Sequence, residues 1–376
     1  MADASVDGPQ ALGLLYRALN WLCQPAVFWT VLIGAFLGAL AFRKLLVRRA
    51  VASSILAGAL VFAALSTFSP QFLKEAAKPD YLPLWAMLFL TGLCLWGAFY
   101  QAVRNDERLK LGLQPEEAAA AQEDLHVWPY LLYLEAIVAA FAMAILLAWA
   151  LGFEAPLEQP ANPANSPNPA KAPWYFVGLQ EMLVYFDPWI GGVLLPVMTI
   201  TGLICLPYCD PNPEGAGYFS FERRKFSITT YLFGFLVLWI AMICAGAFLR
   251  GPNWSSFGLY EPWDVHKLAQ TNDTNLSQFF WQDAMNWLTG RPRALESLHW
   301  LKRELPGFLV VAAYFLLLPV LGARLFRNPY RQLGWLRYSI VAFHLLVLLA
   351  VPIKMYLRFA FNLKYIIFVP EYSFDV

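Results

Sequence analysis

Apolar residues run along this chain in long blocks, not at the one-face spacing of a soluble helix or the alternation of a half-buried strand. Eight blocks approach the roughly 20 residues a helix needs to cross a bilayer. They cover residues 26–47, 51–70, 83–103, 129–152, 189–208, 229–250, 307–326 and 337–360. The expected fold class is all-α: a polytopic transmembrane helical protein of about eight spans plus a short interfacial helix. Lys354 and Arg358 interrupt the last block, so a shorter crossing followed by an interfacial helix ending near Phe368 is expected there. Between the fourth and fifth blocks a Pro-punctuated polar stretch, Gln159 to Pro173, leads into an aromatic segment, Trp174 to Phe186. Helical spacing puts Tyr175, Leu179, Met182 and Phe186 on one side. The segment is too short to cross and suits the headgroup region, where Trp and Tyr are favoured. Glu181 stands in its middle, seven residues after Trp174 and so on about the same face. A carboxylate beside rings at a membrane surface could form the rim of a pocket for a lipid-like substrate.

Composition agrees with the block pattern. The chain is 59% hydrophobic and 14% charged, against about a quarter charged in soluble domains. A net charge of +1 points to no nucleic-acid partner. The five cysteines, Cys23, Cys94, Cys205, Cys209 and Cys244, lack metal-site or haem-attachment spacing and read as small buried hydrophobes. The first 25 residues lack the basic start of a cleaved leader.

Cations orient the spans. With the loop after the first block inside, the inner side holds Arg43, Lys44, Arg48, Arg49, Arg104, Arg108, Lys110, Arg223, Arg224, Lys225, Arg324, Arg327, Arg331 and Arg337, and short outer segments hold few. Both termini and the aromatic helix are then expected outside, in a multi-pass membrane protein. Three parts follow: 1–127, three spans and a polar Ala/Glu-rich linker; 128–255, three spans and the aromatic segment; 256–376, an outer loop and two spans. No internal repeat is evident, and paired intramembrane charges are few, which disfavours a secondary transporter.

The middle part resembles the C-terminal half of cytochrome b, the portion found as subunit IV in the cytochrome bf complex. The resemblance rests on Pro163, Pro167, Pro169 and Pro173, then Trp174-Tyr175-Phe176, Asp187-Pro188, Gly191-Gly192, Leu206-Pro207-Tyr208, Asp210-Pro211 and the basic Arg223-Arg224-Lys225. It implies an extended bacterial form of a Rieske–cytochrome b quinol oxidoreductase subunit, and an outer quinol-oxidation pocket shared with a separate di-haem cytochrome b chain of the N-terminal type. Quinol, either menaquinol or ubiquinol, would bind at that shared site. Haem b and the Fe–S cluster would sit on partners, the latter on a Rieske protein, with a c-type cytochrome and membrane lipid as further partners in a dimeric complex. The segment Gly251 to Lys267 is the expected docking surface for the outer redox subunit. The family motif Pro-Glu-Trp-Tyr reads Ala172-Pro173-Trp174-Tyr175 here, so Pro173 stands where the proton-accepting glutamate is expected.

Quinol oxidation needs an apolar wall and a base whose proton affinity partial desolvation raises. Glu181 is the candidate catalytic carboxylate, and Pro173, Trp174, Tyr175, Phe176, Tyr185 and Phe186 are the candidate quinol-binding residues. Glu135, inside the fourth block, with His126 nearby in sequence, is a candidate inner proton or quinone site, because an intramembrane acid is rarely idle. A structural partner on a neighbouring helix is an equal reading of Glu135. Of His126, His266, His299 and His344, only His344 lies within a block, so two bis-His haems cannot be built from this chain and no metal site is expected. The alternative function is a haem-free anchor of another quinone-linked complex.

Overall fold

The computed structural model describes residues 10–120, 127–154, 160, 162–164, 166–211, 219–268, 273–290, 295, 298–372 and 374–376. Among the described residues ten main helices carry the fold: α1 Gln10–Leu22, α2 Pro25–Ala41, α3 Arg49–Ser66, α4 Leu82–Lys110, α5 Val127–Gly152, α6 Trp174–Met182, α7 Ile190–Cys209, α8 Phe221–Leu249, α9 Leu305–Leu325 and α10 Arg327–Phe361. Seven are long and apolar enough to cross a membrane, and an eighth span is possible if α1 and α2, bent by 82° at their junction, act as one. Proline opens α2, α4 and α9 in their first turn, where its missing N–H costs nothing. The only paired strands among the described residues are Phe368–Val369 and Phe374–Asp375. The all-α polytopic expectation holds.

Three boundaries differ from the sequence reading; the third span, for one, runs on to Lys110. The sixth span begins at Phe221, because the basic turn Phe221–Ile228 continues the helix, with a kink at Arg224. The last span ends at Phe361, as the block 337–360 predicts, but its helix starts earlier, at Arg327 with a break at Gly334, and Phe368 lies in a strand, not at the end of an interfacial helix. Arg358 does not end the helix because it reaches out to Asp273 at 2.5 Å.

The core lies around α8. More than half of the apolar stretch of α8 is buried, whereas none of that of α5 is. Phe36 of α2, Ile190 and Leu195 of α7, Val237, Leu238 and Met242 of α8, and Val351 and Met355 of α10 form one cluster. At one end of the bundle Tyr16 stacks on Tyr260 at 4.3 Å, Ser66 bonds Tyr260 at 2.7 Å, and Thr274 bridges to Leu363. At the other end Arg43 pairs with Glu222 at 2.5 Å, Ser220 donates to Asp106 at 2.7 Å, and Arg104 pairs with Glu116 of the short helix Glu116–Ala120.

Candidate functional site

Helix α6 belongs to the end that carries Tyr260. Pro173 enters it in an extended conformation, and no side chain caps the first turn. Gln180 ties the lead-in down instead: its Oε1 accepts from Ala172 N at 2.8 Å and its Nε2 donates to Ala170 O at 2.8 Å. Lys171 fixes the same stretch to α8, donating from Nζ to Ala247 O at 2.7 Å beneath the Trp263 ring. Burial lowers the Lys171 amine to about 8, with Lys78 adding to the effect. After α6, Asp187 accepts from Trp189 N at 3.1 Å and so caps the start of α7.

One face of α6 is buried: Val177, Gly178, Glu181 and Met182. It lies against Ile243, Gly246 and Ala247 of α8, and the approach is close because both faces carry glycine. A Cβ on Gly178 would stand 2.8 Å from Ile243 Cγ1, and one on Gly246 would stand 2.9 Å from Val177 O. The opposite face presents Tyr175 and Phe176, 50% and 55% exposed, their rings 4.9 Å apart. Pro173 is exposed and Trp174 half-buried. Of the Tyr175–Leu179–Met182–Phe186 stripe that periodicity picks out, Met182 and Phe186 are buried, Leu179 is half-buried and Tyr175 is exposed. The inward acid and the two small residues decide the helix's rotation.

Glu181 is 1% exposed and bonded throughout. Arg250, the first residue beyond α8, grips it with a two-pronged fork: Nε to Oε2 at 2.8 Å and Nη2 to Oε1 at 2.6 Å. Tyr185 donates its hydroxyl to Oε1 at 3.2 Å. The remaining Arg250 nitrogen reaches Trp254 O at 3.0 Å and Ser256 Oγ at 2.9 Å, so all three guanidinium nitrogens are engaged. Burial works against the charge of Arg250, but the Glu181 carboxylate outweighs it and raises the group above its ordinary range. Burial, then the Glu181 charge, raises the Tyr185 phenol, which stays protonated as a donor. A cavity of about 10 Å³ touches Glu181, Tyr185, Arg250 and Trp29, room for about one water.

The candidate residues thus fall into two groups. Pro173, Trp174, Tyr175 and Phe176 form a surface patch. Glu181, Tyr185 and Phe186 lie behind it in the core. Glu135 is elsewhere, on α5, where every residue from Leu132 to Gly152 is exposed. His126 lies outside the described residues. Arg250 and Lys171 escaped the sequence reading. The available signal was a lone arginine closing an apolar block at the same predicted membrane face as an unbalanced glutamate.

No described histidine pair faces across two spans. His344 donates from Nδ1 to Ile340 O at 2.8 Å and meets Thr201 Oγ1 at 3.3 Å through Nε2. Its ring packs on Gly202. His299 serves as the N-cap of the turn Trp300–Arg303. These residues do not fit a b-haem, and no group of three or more His, Cys, Asp or Glu among the described residues could hold a metal.

Residues 160–250 match the family described as cytochrome b(C-terminal)/b6/petD. Comparison with curated proteins and with solved structures returns no match. The matched stretch runs from the proline-rich lead-in through α6 and α7 to Arg250, and so contains both halves of the Glu181–Arg250 fork. Over that stretch the chain is of the cytochrome b C-terminal type, set in an all-α multi-pass membrane protein.

Proposed function

We propose that this chain is the membrane subunit of a Rieske–cytochrome b quinol oxidoreductase and completes an outer quinol-oxidation pocket with a separate di-haem cytochrome b chain. One observation carries the reading: within the family-matched stretch, α6 is locked from behind by Glu181 and Arg250 while it offers Tyr175 and Phe176 outward. Oxidation of a quinol releases two protons and two electrons. The electrons pass to one-electron acceptors on partner subunits, the haem b of the cytochrome b chain and the iron–sulfur cluster of the Rieske protein. In this reading the patch Pro173–Phe176 lies against the quinol ring, and the Tyr175 hydroxyl bonds a ring oxygen.

Glu181 is the carboxylate proposed to govern the pocket. Held by both prongs of Arg250, it fixes the position of α6. In the closed fork Glu181 faces α8 and the patch faces away, so for Glu181 to accept a ring proton the fork must open and a freed oxygen must swing past the edge of α6. The exposure of α5 from Leu132 to Gly152 supports a membrane partner on that side. Glu135 would be costly facing lipid alone and calls for a donor from another chain.

Gentle purification followed by a redox difference spectrum tests the reading. Co-purified b-haem together with a Rieske signal is expected, and a haem-free lone chain would overturn it. Within an active complex, Glu181→Gln is expected to slow quinol oxidation by roughly 10²–10⁴, the usual contribution of a general base. Unchanged turnover would move the role to Asp187 or to a partner's residue.

A further inference from the structure

The hairpin α9–α10 separates its charges completely. From Leu305 to Pro370 there is no Asp or Glu. The acids that bound this stretch, Glu304 and Glu371, are both engaged by Arg303 at one end of the hairpin, and Glu304 also accepts from Phe368 N at 3.0 Å. At the opposite end stand Arg324, Arg327, Arg331 and Arg337, all exposed and none in an ion pair among the described residues. Some cations at that end of the bundle have acids: Arg43 and Lys225 take Glu222, Arg224 takes Asp210, and Arg104 takes Glu116, whereas Arg48 and Arg49, like these four arginines, stand in no ion pair among the described residues.

All four arginines lie in or beside the connection between α9 and α10. Gly334 (φ 72°, ψ 172°) breaks α10 after its second turn, so the piece carrying Arg327 and Arg331 turns away from the span that carries Arg337. Gly is needed there because an L side chain resists positive φ. Two contacts brace the elbow: the Tyr338 hydroxyl donates to Pro319 O at 2.8 Å, and the Tyr330 ring meets the Tyr338 ring edge-on at 5.2 Å. Arg327 and Arg331 are four apart on one face, where like charges repel. Leu325, Phe326, Trp335 and Leu336, all more than half exposed, surround them. Guanidinium groups bind phosphate through a matching fork, and exposed rings and leucines beside them mark the level where acyl chains meet headgroups.

We propose that this elbow binds the phosphate headgroup of an anionic phospholipid. The apolar rim selects a lipid over a soluble phosphate, and the absence of acids from the hairpin selects an anionic lipid over a zwitterionic one.

The test uses the full chain, delipidated in mild detergent and titrated with phosphatidylglycerol, phosphatidylcholine or inorganic phosphate, with bound lipid read by native mass spectrometry. Phosphatidylglycerol is expected to be retained well above phosphatidylcholine. Each arginine near a membrane surface contributes about fivefold, so Arg327→Gln with Arg331→Gln should lower that affinity roughly twenty-five-fold. Arg327→Lys with Arg331→Lys keeps the charge but not the fork, and should recover part of the affinity lost in the Gln variant, separating loss of the site from loss of the fold. Arg48→Gln with Arg49→Gln, neutralising another exposed cation pair at the same end, should leave it unchanged. Equal retention of the two lipids, equal loss from the Arg48/Arg49 variant, or binding of inorganic phosphate at millimolar concentration as strong as that of phosphatidylglycerol would each overturn the proposal.

Discussion

At the scale of single residues, the molecule's most consequential bond joins Glu181 to Arg250, 69 residues apart in sequence. Both are buried, the side chains 1% and 10% exposed. Taking two ions out of water is expensive, so such a pair adds little net stability, but removing one partner strands the other. Arg250→Gln is therefore expected to destabilise the fold by about 3–5 kcal/mol, read as a loss of thermal stability of the purified chain. An apolar double replacement, Glu181→Leu with Arg250→Met, should cost clearly less than either single change. Lys171 gives a second measurable effect. Its amine is held near 8 in the fold, against 10.5 when free. Between those values the unfolded chain binds the extra proton, so this residue's contribution to stability rises with pH across that window and is flat below it. The apparent Tm of the wild-type chain should climb from pH 8 towards 10 relative to that of Lys171→Met. A parallel pair of pH curves would refute this.

At the scale of elements, helices were easy to find and their rotations were not. The apolar blocks placed the spans because length and the scarcity of charge suffice for that. Helix α6 is legible as a short aromatic helix, yet which of its faces packs inward is not. Periodicity weighs each side chain by hydrophobicity, and Glu181 counts as polar until a distant Arg250 neutralises it. Gly178 carries no hydrophobic signal either, although it allows the close approach to α8. The same blindness hid the early start of α8, whose first turns are basic and polar and helical only because Glu222 meets Arg43 and Asp106 meets Ser220. The glycine contact yields its own expectation. In Gly246→Ala the added methyl meets the Val177 carbonyl oxygen, a backbone atom that cannot rotate away. Overpacking of this kind costs about 1–3 kcal/mol. It should lift α6 off α8 and lower quinol turnover more than it lowers stability. Turnover and Tm falling in step would argue against α6 as the element that positions the pocket.

At the scale of the whole molecule, one end gathers α6, the loop from Gly251 to Lys267, and the C-terminal segment. Lys354 makes the link directly: its amine lies over the rings of Phe186, just past α6, and of Tyr365, just past α10, at 5.9 and 5.8 Å. Asp375 repeats it, since burial first and the charge of Asp187 second raise its carboxyl above the ordinary range. The C-terminus therefore lies on the same side of the membrane as α6, which makes the location of the proposed pocket measurable without a bound quinol. The distribution of cations puts Arg324, Arg327, Arg331 and Arg337 at the opposite end, and the side richer in Arg and Lys in short loops faces the cytoplasm. A periplasm-active reporter such as alkaline phosphatase fused after Val376 should be active, and green fluorescent protein at the same place should stay dark. The reverse pattern would put Tyr175 and Phe176 on the cytoplasmic side, where an outer quinol-oxidation pocket could not form, whatever the Glu181 variants did to turnover.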